Sequence, residues 1–352
     1  MPNPGRYHCR SMPMKRLQEE HATVDTRTDS ITPTPVILDC DPGVDDAMAL
    51  LWGLADPRID LVAVGTVWGN VSVDLTTLNA LRLLEIGGRP DIPVAKGASK
   101  PLLGPEPSFE RGVHGRNGQG DVELHDPETV HIEETAAAQI IRLANERPGE
   151  LTLVAVGPMT NLAIALALDP GIAGRFRQVV LMGGAFQVPG NVSATGEANI
   201  WHDPEAAQMV MEAGWPLTIV GLDVTEQARI TETMLRDLAA TGNPSTVHLQ
   251  RISDGYLDVY TGRYGSDERQ CPMHDALALG IAVDEALLLD APMAHVAVEL
   301  NGTLTRGSTV ADLRSWADPA KANARVALKA DGERFVREWV ATMAAIPGKD
   351  AR

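Results

Sequence analysis

The chain has 352 residues, of which 30 are basic and 47 acidic, and its formal net charge is −17 at pH 7. This charge argues against a nucleic-acid groove or an anionic membrane surface as partner and fits small-molecule or cationic ligands. The three cysteines lack disulfide or zinc-site spacing, which indicates a reducing, cytoplasmic location. No apolar run reaches the roughly 18 residues that a membrane span needs.

Residues 1–34 are polar, lack periodicity and contain no apolar signal-peptide core, so we expect a disordered N-terminal extension. From residue 35 onward, apolar strand patterns alternate with helical patterns. Near-continuous apolar strands are typical of a parallel sheet covered on both faces. The pattern predicts an α/β fold with an open, mostly parallel central sheet flanked by helices, Rossmann-like, as a single large domain over residues 35–348. Strands are predicted at 35–39, 61–67, 151–157, 178–184 and 216–223, and helices at 45–54, 72–86, 161–168 and 203–212.

Two segments rich in glycine or turn residues interrupt this alternation, at about 96–130 and 242–272. Connections of this length without periodic structure are often functional. We therefore expect two long loops at these positions.

The most unusual stretch is ILDCDPGVDDAMALL, residues 37–51, with four aspartates within eight positions. Asp39 and Asp41 end the first predicted strand, where ligands bind in open α/β sheets. Asp45 and Asp46 fall in the first helical turn, where the helix dipole favours negative charge. A role as simple helix-start carboxylates is the alternative for these two, but it does not explain the first pair. Four close carboxylates repel one another unless protonated or bound to a cation, and all-oxygen ligands favour Ca²⁺ or Mg²⁺.

DCDPGVDDAMAL resembles the N-terminal signature of the nucleoside hydrolase family, inosine–uridine preferring type. Seven further segments agree with that family in the same order, and the similarity covers about residues 35–345. These segments are VWGN (67–70), VHGRNGQG (113–120), VAVGPMTNLA (154–163), VVLMGGAF (179–186), GNVSATGEANIWHDPEAA (190–207), MHDALAL (273–279) and TRGSTVAD (305–312).

The resemblance implies hydrolysis of the N-glycosidic bond of ribonucleosides, giving ribose and free base, with Ca²⁺ as cofactor, in nucleoside salvage or catabolism. Asp41 is implied as the general base and Asp45 as a ligand of the ribose 2′-hydroxyl. Asp39 is expected to orient the metal-binding and catalytic side chains without contacting the substrate itself. The implied metal ligands are Asp41, Asp46, Asp275 and the backbone carbonyl of Val156.

The same resemblance implies a ribose pocket. Asn191 and Glu197 correspond to residues that hold the 5′-hydroxyl, and Asn199 to one on the ribose diol. Met182 corresponds to a methionine that packs near the ribose, with ordinary core packing as the alternative. For Asn199 the alternative role is helix capping. The chain departs from the family at GEAN, where the family commonly has AEFN, so that Ala198 replaces an aromatic residue. The implied substrate-binding residues are Asp45, Asn70, His114, Met182, Asn191, Glu197 and Asn199.

His274, next to Asp275, corresponds to a histidine that protonates the departing base in one branch of the family, with a structural role as the alternative. His114 corresponds to a mobile base-contacting histidine, although a loop histidine is often only solvated. By the same resemblance, residues 255–272 should form the leaving-group pocket. The family alignment is ambiguous there for Tyr256, Tyr260, Arg263 and Tyr264, so inosine, uridine, cytidine and adenosine all remain open as substrates.

Two other functions are weighed against hydrolysis: a metal-dependent phosphohydrolase and a non-catalytic ribonucleoside-binding protein. The first needs phosphate-binding groups near the aspartates, and the sequence offers neither a GxxxxGK[ST] motif nor an arginine or lysine at the relevant strand ends. The second would fit better if Asp41 or His274 were missing, and both are present. By resemblance we expect a ribonucleoside as substrate and a homodimer or homotetramer, with no nucleic acid or membrane as partner.

Overall fold

The computed structural model describes residues 32–105, 107, 109 and 112–348, in which strands and helices alternate. The strands are β1 Thr34–Cys40, β2 Ile59–Thr66, β3 Val94–Lys96, β4 Thr152–Ala155, β5 Gln178–Met182, β6 Leu217–Val220, β7 Arg229–Thr231, β8 Gln270–Pro272, β9 Leu288–Asp290, β10 Met293–Ala294, β11 Val296–Val298, β12 Thr309–Ala311, β13 Ala324–Val326 and β14 Lys329–Ala330. The helices are α1 Val44–Ala55, α2 Val73–Ile86, α3 Ala136–Glu146, α4 Thr160–Leu168, α5 Ala198–His202, α6 Pro204–Glu212, α7 Leu222–Thr225, α8 Glu232–Ala239, α9 Pro244–Ile252, α10 Asp254–Tyr264, α11 His274–Val283 and α12 Gly332–Ala345. Short 3₁₀ turns lie at Pro170–Arg175, Glu285–Leu287 and Pro319–Lys321.

The central sheet has eight strands in the order β10-β13-β6-β5-β4-β1-β2-β3. All neighbouring pairs are parallel except β10 with β13. This confirms the predicted open, mostly parallel sheet flanked by helices. The chain builds outward from β1 through β2 and β3, and then returns to the other side of β1 with β4. The carboxyl ends of β1 and β4 therefore flank a topological switch point, where α/β sheets form a crevice for ligands.

Two hydrophobic cores cover the two faces of the sheet. Along β1, Val36 and Leu38 point into one core and Ile37 into the other, as the alternation of side chains along a strand requires. The first core includes side chains of α1, α11 and α12, and the second includes those of α3, α4 and α6. Because β1 is buried on both faces, any polar side chain at its carboxyl end lies deep in the molecule.

The expectation of a long loop at 242–272 was wrong for most of that segment, which forms α9 and α10. Asn243 caps α9 by accepting a hydrogen bond from the backbone N–H of Ser245, and Pro244 occupies the first helical position. Gly265 ends α10 in the left-handed conformation, with φ 58°. Gly255 and Gly262 lie inside α10 on an open face, so they weaken the helix without breaking it.

The strand predicted at 216–223 is also shorter than expected. It ends at Val220, and Leu222–Thr225 forms the short helix α7. The apolar residues of this segment are buried as part of a helix and not as part of a strand. Hydrophobic periodicity in so short a run does not distinguish the two.

The described residues from Thr32 to Gly348 belong to one structural unit. Residues 1–31, which make up most of the expected N-terminal extension, lie outside the described residues. Among the described residues, no helix combines the length and the apolar character that crossing a bilayer requires.

Candidate active site

The turn between β1 and α1 is held together by the carboxylate of Asp46. It accepts hydrogen bonds from the backbone N–H of Asp41 at 3.1 Å and of Gly43 at 2.9 Å. The side-chain amide of Asn70, from the loop after β2, also donates to Asp46 at 3.2 Å and to the Asp41 carbonyl at 3.1 Å. The aspartates at the end of β1 and the start of α1 are therefore fixed relative to each other by backbone donors.

Three carboxylates converge where α1 and α11 begin. Oxygen atoms of Asp45, Asp46 and Asp275 all lie within 4.8 Å of one another, and all three residues are buried. Both helices present their N-terminal ends to this point, and the positive end of each helix dipole stabilises negative charge there. Asp275 therefore joins the N-terminal aspartates, although it lies more than two hundred positions away in the chain.

The geometry of this cluster suits a hard cation. Asp41 Oδ1 and Asp45 Oδ1 are buried and have no hydrogen-bond partner among the described residues. Burial, together with the neighbouring Asp45, raises the pKa of Asp46 to about 7. Burial also raises the pKa of Asp41 and Asp275 well above the ordinary range, and the nearby carboxylates add to that shift. Ca²⁺ and Mg²⁺ bind oxygen ligands, and a bound cation would relieve the repulsion among these carboxylates.

The Asp45, Asp46 and Asp275 group differs from the expected ligand set, which had Asp41 in place of Asp45. Asp41 is adjacent to the group, since its backbone N–H bonds to Asp46. Its own Oδ2 accepts a hydrogen bond of 2.7 Å from the backbone N–H of Asn70. The ligand set Asp41, Asp46, Asp275 and Val156 therefore stays a prediction.

A cavity of about 580 Å³ opens above the carboxylates. It is within the size range of small-molecule sites. Asp41 and Asp46 lie behind its wall, whereas most of the other predicted site residues face it. Those lining the cavity are Asp45, Asn70, His114, Val156, Met182, Asn191, Glu197, Asn199, His274 and Asp275.

Comparison with known proteins agrees with this geometry. The sequence profile of the inosine-uridine preferring nucleoside hydrolase family matches residues 36–337. The chain belongs to the inosine-uridine preferring nucleoside hydrolase family. It is therefore an enzyme, a hydrolase that acts on N-glycosyl compounds.

Individual relatives show the extent of the similarity. Inosine-uridine preferring nucleoside hydrolase from Leishmania major is 36% identical over 86% of this chain and 95% of its own length. Uridine nucleosidase 1 from Arabidopsis thaliana is 44% identical over 62% of this chain, and the match spans 64% of that relative. The solved structure of a plant nucleoside hydrolase has a TM-score of 0.84 and 36% identity, covering 89% of this chain and 100% of that one.

In this hydrolase, Glu197 and Asn199 form one wall of the cavity at the start of α5. The Glu197 carboxylate accepts hydrogen bonds from the backbone N–H groups of Asn199, Ile200 and Gly184. Glu197 is therefore the cap of α5, and capping does not explain Asn199. The Asn199 amide donates to the Val156 carbonyl at 2.8 Å and contacts Met182. Burial raises the pKa of Glu197 to about 7.

The two predicted histidines differ in their surroundings. His274 has a partner on each ring nitrogen, with Thr225 Oγ1 2.7 Å from Nδ1 and the Tyr260 hydroxyl 3.0 Å from Nε2. His114 accepts a hydrogen bond on Nδ1 from the backbone N–H of Val44 at 3.1 Å. Its Nδ1 also lies 3.7 Å from Asp45. Burial lowers the pKa of both rings, which favours their neutral forms.

Helix α10 adds Tyr256, Tyr260 and Arg263 to the cavity wall. The two tyrosine rings lie 4.8 Å apart, and the Arg263 guanidinium lies 4.9 Å from the Tyr260 ring centroid. Tyr264 instead donates a hydrogen bond to Glu226 and is absent from the cavity wall. The four-residue spacing of the two tyrosines would have placed them on one helix face, had α10 been recognised as a helix.

Three further residues of the site were missed from the sequence. Thr225 contacts His274 from α7, and no motif distinguishes it from a core threonine. Trp201 and His202 line the cavity from α5. Their positions three and four residues after Ala198 were the available signal, because such positions share one helix face.

Proposed function

We propose that this protein hydrolyses the N-glycosidic bond of ribonucleosides in a Ca²⁺-dependent reaction that releases ribose and the free base. The observation that carries the proposal is the buried group Asp45, Asp46 and Asp275 beneath a cavity of about 580 Å³. The names of the relatives, uridine nucleosidase and inosine-uridine preferring nucleoside hydrolase, support ribonucleosides as the substrate class.

Ca²⁺ would be held by Asp41, Asp46, Asp275 and the Val156 carbonyl. Asp41 adjoins the carboxylate group because its backbone N–H bonds to Asp46, which supports its inclusion, and Val156 lies on the cavity wall. When bound, the cation supplies positive charge that offsets the repulsion among the carboxylates and makes a nearby water more acidic.

Asp41 acts as the general base. Its Oδ2 is held by the backbone N–H of Asn70, while Oδ1 is buried and has no hydrogen-bond partner within the described part of the chain. One oxygen therefore fixes the carboxylate, and the other can take a proton from water. A positioned base of this kind contributes about 10²–10⁴-fold to the rate.

Asp45, Asn199, Asn191 and Glu197 orient the ribose. The unpartnered Oδ1 of Asp45 can accept a hydrogen bond from the 2′-hydroxyl. Asn191 uses its side-chain oxygen on the backbone N–H of Ala198, at 2.9 Å, so its amide N–H groups can serve the 5′-hydroxyl. Met182 and Asn70 also line the cavity. Buried carboxylates around the ribose also stabilise the positive charge of an oxocarbenium-like transition state.

His274 supports the departure of the base. Because burial lowers its pKa, the ring is predominantly neutral at neutral pH, and it can donate a proton only by receiving another. The proton that it gives up is replaced from water in the cavity that His274 lines, and the hydrogen bonds to Tyr260 and Thr225 hold the ring in place. His114, whose ring lies 5.2 Å from that of Tyr256 and is tilted by 31° to it, lines the same cavity and contacts the base.

We further propose that residues 35–348 act as one nucleoside hydrolase domain, in a cytoplasmic homodimer or homotetramer, and that the reaction serves nucleoside salvage or catabolism. These points follow from the resemblance of the chain to its family.

The decisive experiment incubates the purified protein with inosine, uridine, cytidine and adenosine and measures free reducing ribose. We expect ribose release, and we expect a calcium chelator to abolish it and excess Ca²⁺ to restore it. The Asp275→Asn variant should lose activity, and Asp237→Asn, a change of the same type on an exposed face of α8, should not. Binding of nucleoside without ribose release would indicate a binding protein, and activity independent of Ca²⁺ would refute the metal assignment.

A further inference from the structure

The wall of the cavity at α5 combines a small residue with two larger aromatic ones. Ala198 lines the cavity at the start of the helix, and Trp201 and His202 line it one turn further. One turn of helix advances about 5.4 Å. The wall therefore has a recess at Ala198, beside the proposed ribose contact Asn199. The indole ring of Trp201 bounds this recess one helical turn away.

Trp201 is exposed in a way that is unusual for a tryptophan on a rigid element. Its side chain is 46% exposed, and two other apolar residues of the cavity rim, Val192 and Phe109, are 45% and 40% exposed. Apolar side chains grouped at the mouth of a polar cavity are typical of a surface that a ligand covers.

The indole is nevertheless held firmly on its inner side. A Cβ atom on Gly196 would lie 3.2 Å from Trp201 Cδ1, and one on Gly307 would lie 3.1 Å from the same atom. These two glycines therefore allow the backbone to approach the edge of the ring. On the other side, the His202 ring lies 5.7 Å from Trp201 and 5.3 Å from Trp68, edge to face with both. The ring is packed in place before any ligand binds.

We propose that Trp201 is the stacking residue for the leaving base, and that the recess at Ala198 makes the site favour nucleosides with a two-ring, purine base. This inference rests on the proposed nucleoside hydrolysis and deepens it. On the α5 wall, a one-ring base attached to a ribose beside Asn199 reaches only Ala198, which has no aromatic ring. The second ring of a purine extends toward the next residue of that helix face, which is Trp201. His202 acts as a positioning residue that fixes the indole between itself and the glycines.

The test compares kcat and KM for inosine and uridine in four proteins: wild type, Trp201→Leu, Trp201→Phe and Trp316→Ala. Trp201→Leu keeps an apolar side chain and removes the aromatic ring. Its kcat/KM for inosine should fall about tenfold, mainly through KM, and that for uridine less than about twofold, as for loss of one base-stacking contact. Trp201→Phe should recover most of the loss. Trp316, 76% exposed and not among the residues that line the cavity, is the control, and its replacement should leave kcat/KM unchanged for both substrates.

A second variant leaves Trp201 intact. Ala198→Phe should fill the recess and lower kcat/KM for inosine more than for uridine, and this comparison decides the matter if Trp201→Leu does not fold. Equal losses on both substrates, or no loss on inosine, would overturn the inference while ribose release by the wild type still supports the proposed function. A wild-type protein that releases ribose from no nucleoside would overturn both.

Discussion

Replacement of Asp41 by asparagine tests the proposed base with little change in shape. In the structure the carboxylate uses Oδ2 to accept a hydrogen bond from the Asn70 backbone and leaves Oδ1 buried and unpartnered. An amide can present its oxygen to Asn70 in the same way. What the variant lacks is an atom that can take a proton from water.

The expected loss follows from that single missing step. A general base contributes about 10²–10⁴-fold, which corresponds to about 3–5 kcal/mol of activation free energy. The KM should change much less than kcat, because the proposed ribose contacts of Asp45, Asn199 and Glu197 are untouched. The Ca²⁺-free variant should also unfold at a higher temperature than the Ca²⁺-free wild type. Burial and Asp46 raise the pKa of Asp41, which means that its charged form destabilises the fold.

Three measurements on Asp41→Asn separate the possible explanations. Ribose release gives kcat, equilibrium binding of a nucleoside shows whether the pocket is intact, and metal analysis shows whether Ca²⁺ is retained. Asp237→Asn on an exposed face of α8 is the control for loss of one carboxylate. A variant that binds nucleoside and Ca²⁺ and keeps a kcat near that of the wild type would refute Asp41 as the base.

Three further predictions concern other groups. His274→Ala should slow inosine and uridine by about 10²-fold or more and a riboside with a p-nitrophenol leaving group much less; equal losses would mean that His274 positions ribose or metal instead. Removal of Ca²⁺ should lower the unfolding temperature together with activity, because a ligand at 100 times its Kd stabilises the folded state by about 2.7 kcal/mol; a melting curve indifferent to chelator would contradict this. Burial lowers the pKa of His248 to about 4, so its neutral form contributes stability that is complete above the unfolded pKa of about 6.5 and is lost as the pH falls toward 4. His248→Gln should therefore lose less stability than the wild type between these pH values in chemical denaturation.

The sheet and its first helices could be predicted because their signals are local. β1, β2, β4 and β5 are near-continuous apolar runs, as strands buried on both faces must be. The aspartates that follow β1 then lie at a carboxyl strand end by necessity. The position of α10 could not be predicted in the same way, because Gly255 and Gly262 resemble loop residues unless the helix is already known to have an open face there.

Side-chain directions within the site were less predictable than its location. The motif separates Asp41 from Asp45 and Asp46 only by position, and both sides of the turn are buried. The structure shows that Asp45 converges with Asp46 and Asp275. The Asp41 carboxylate instead accepts a hydrogen bond from the backbone N–H of Asn70. Which aspartates converge depends on how α1 and α11 pack against each other. That contact joins segments more than two hundred residues apart and has no local signature in the sequence.

The convergence of α1 and α11 also explains why stability and activity should depend on the same ion. Both helices begin at the carboxylate group, and each helix dipole supplies only a partial positive charge. That charge is insufficient for several buried carboxylates, as the raised pKa values of Asp41, Asp46 and Asp275 indicate. Without a cation the site must bind protons, and a protonated Asp41 cannot act as a base. A cation at this point would therefore stabilise the junction of the two helices and keep Asp41 ionised, so its loss should remove catalytic competence before the fold is lost.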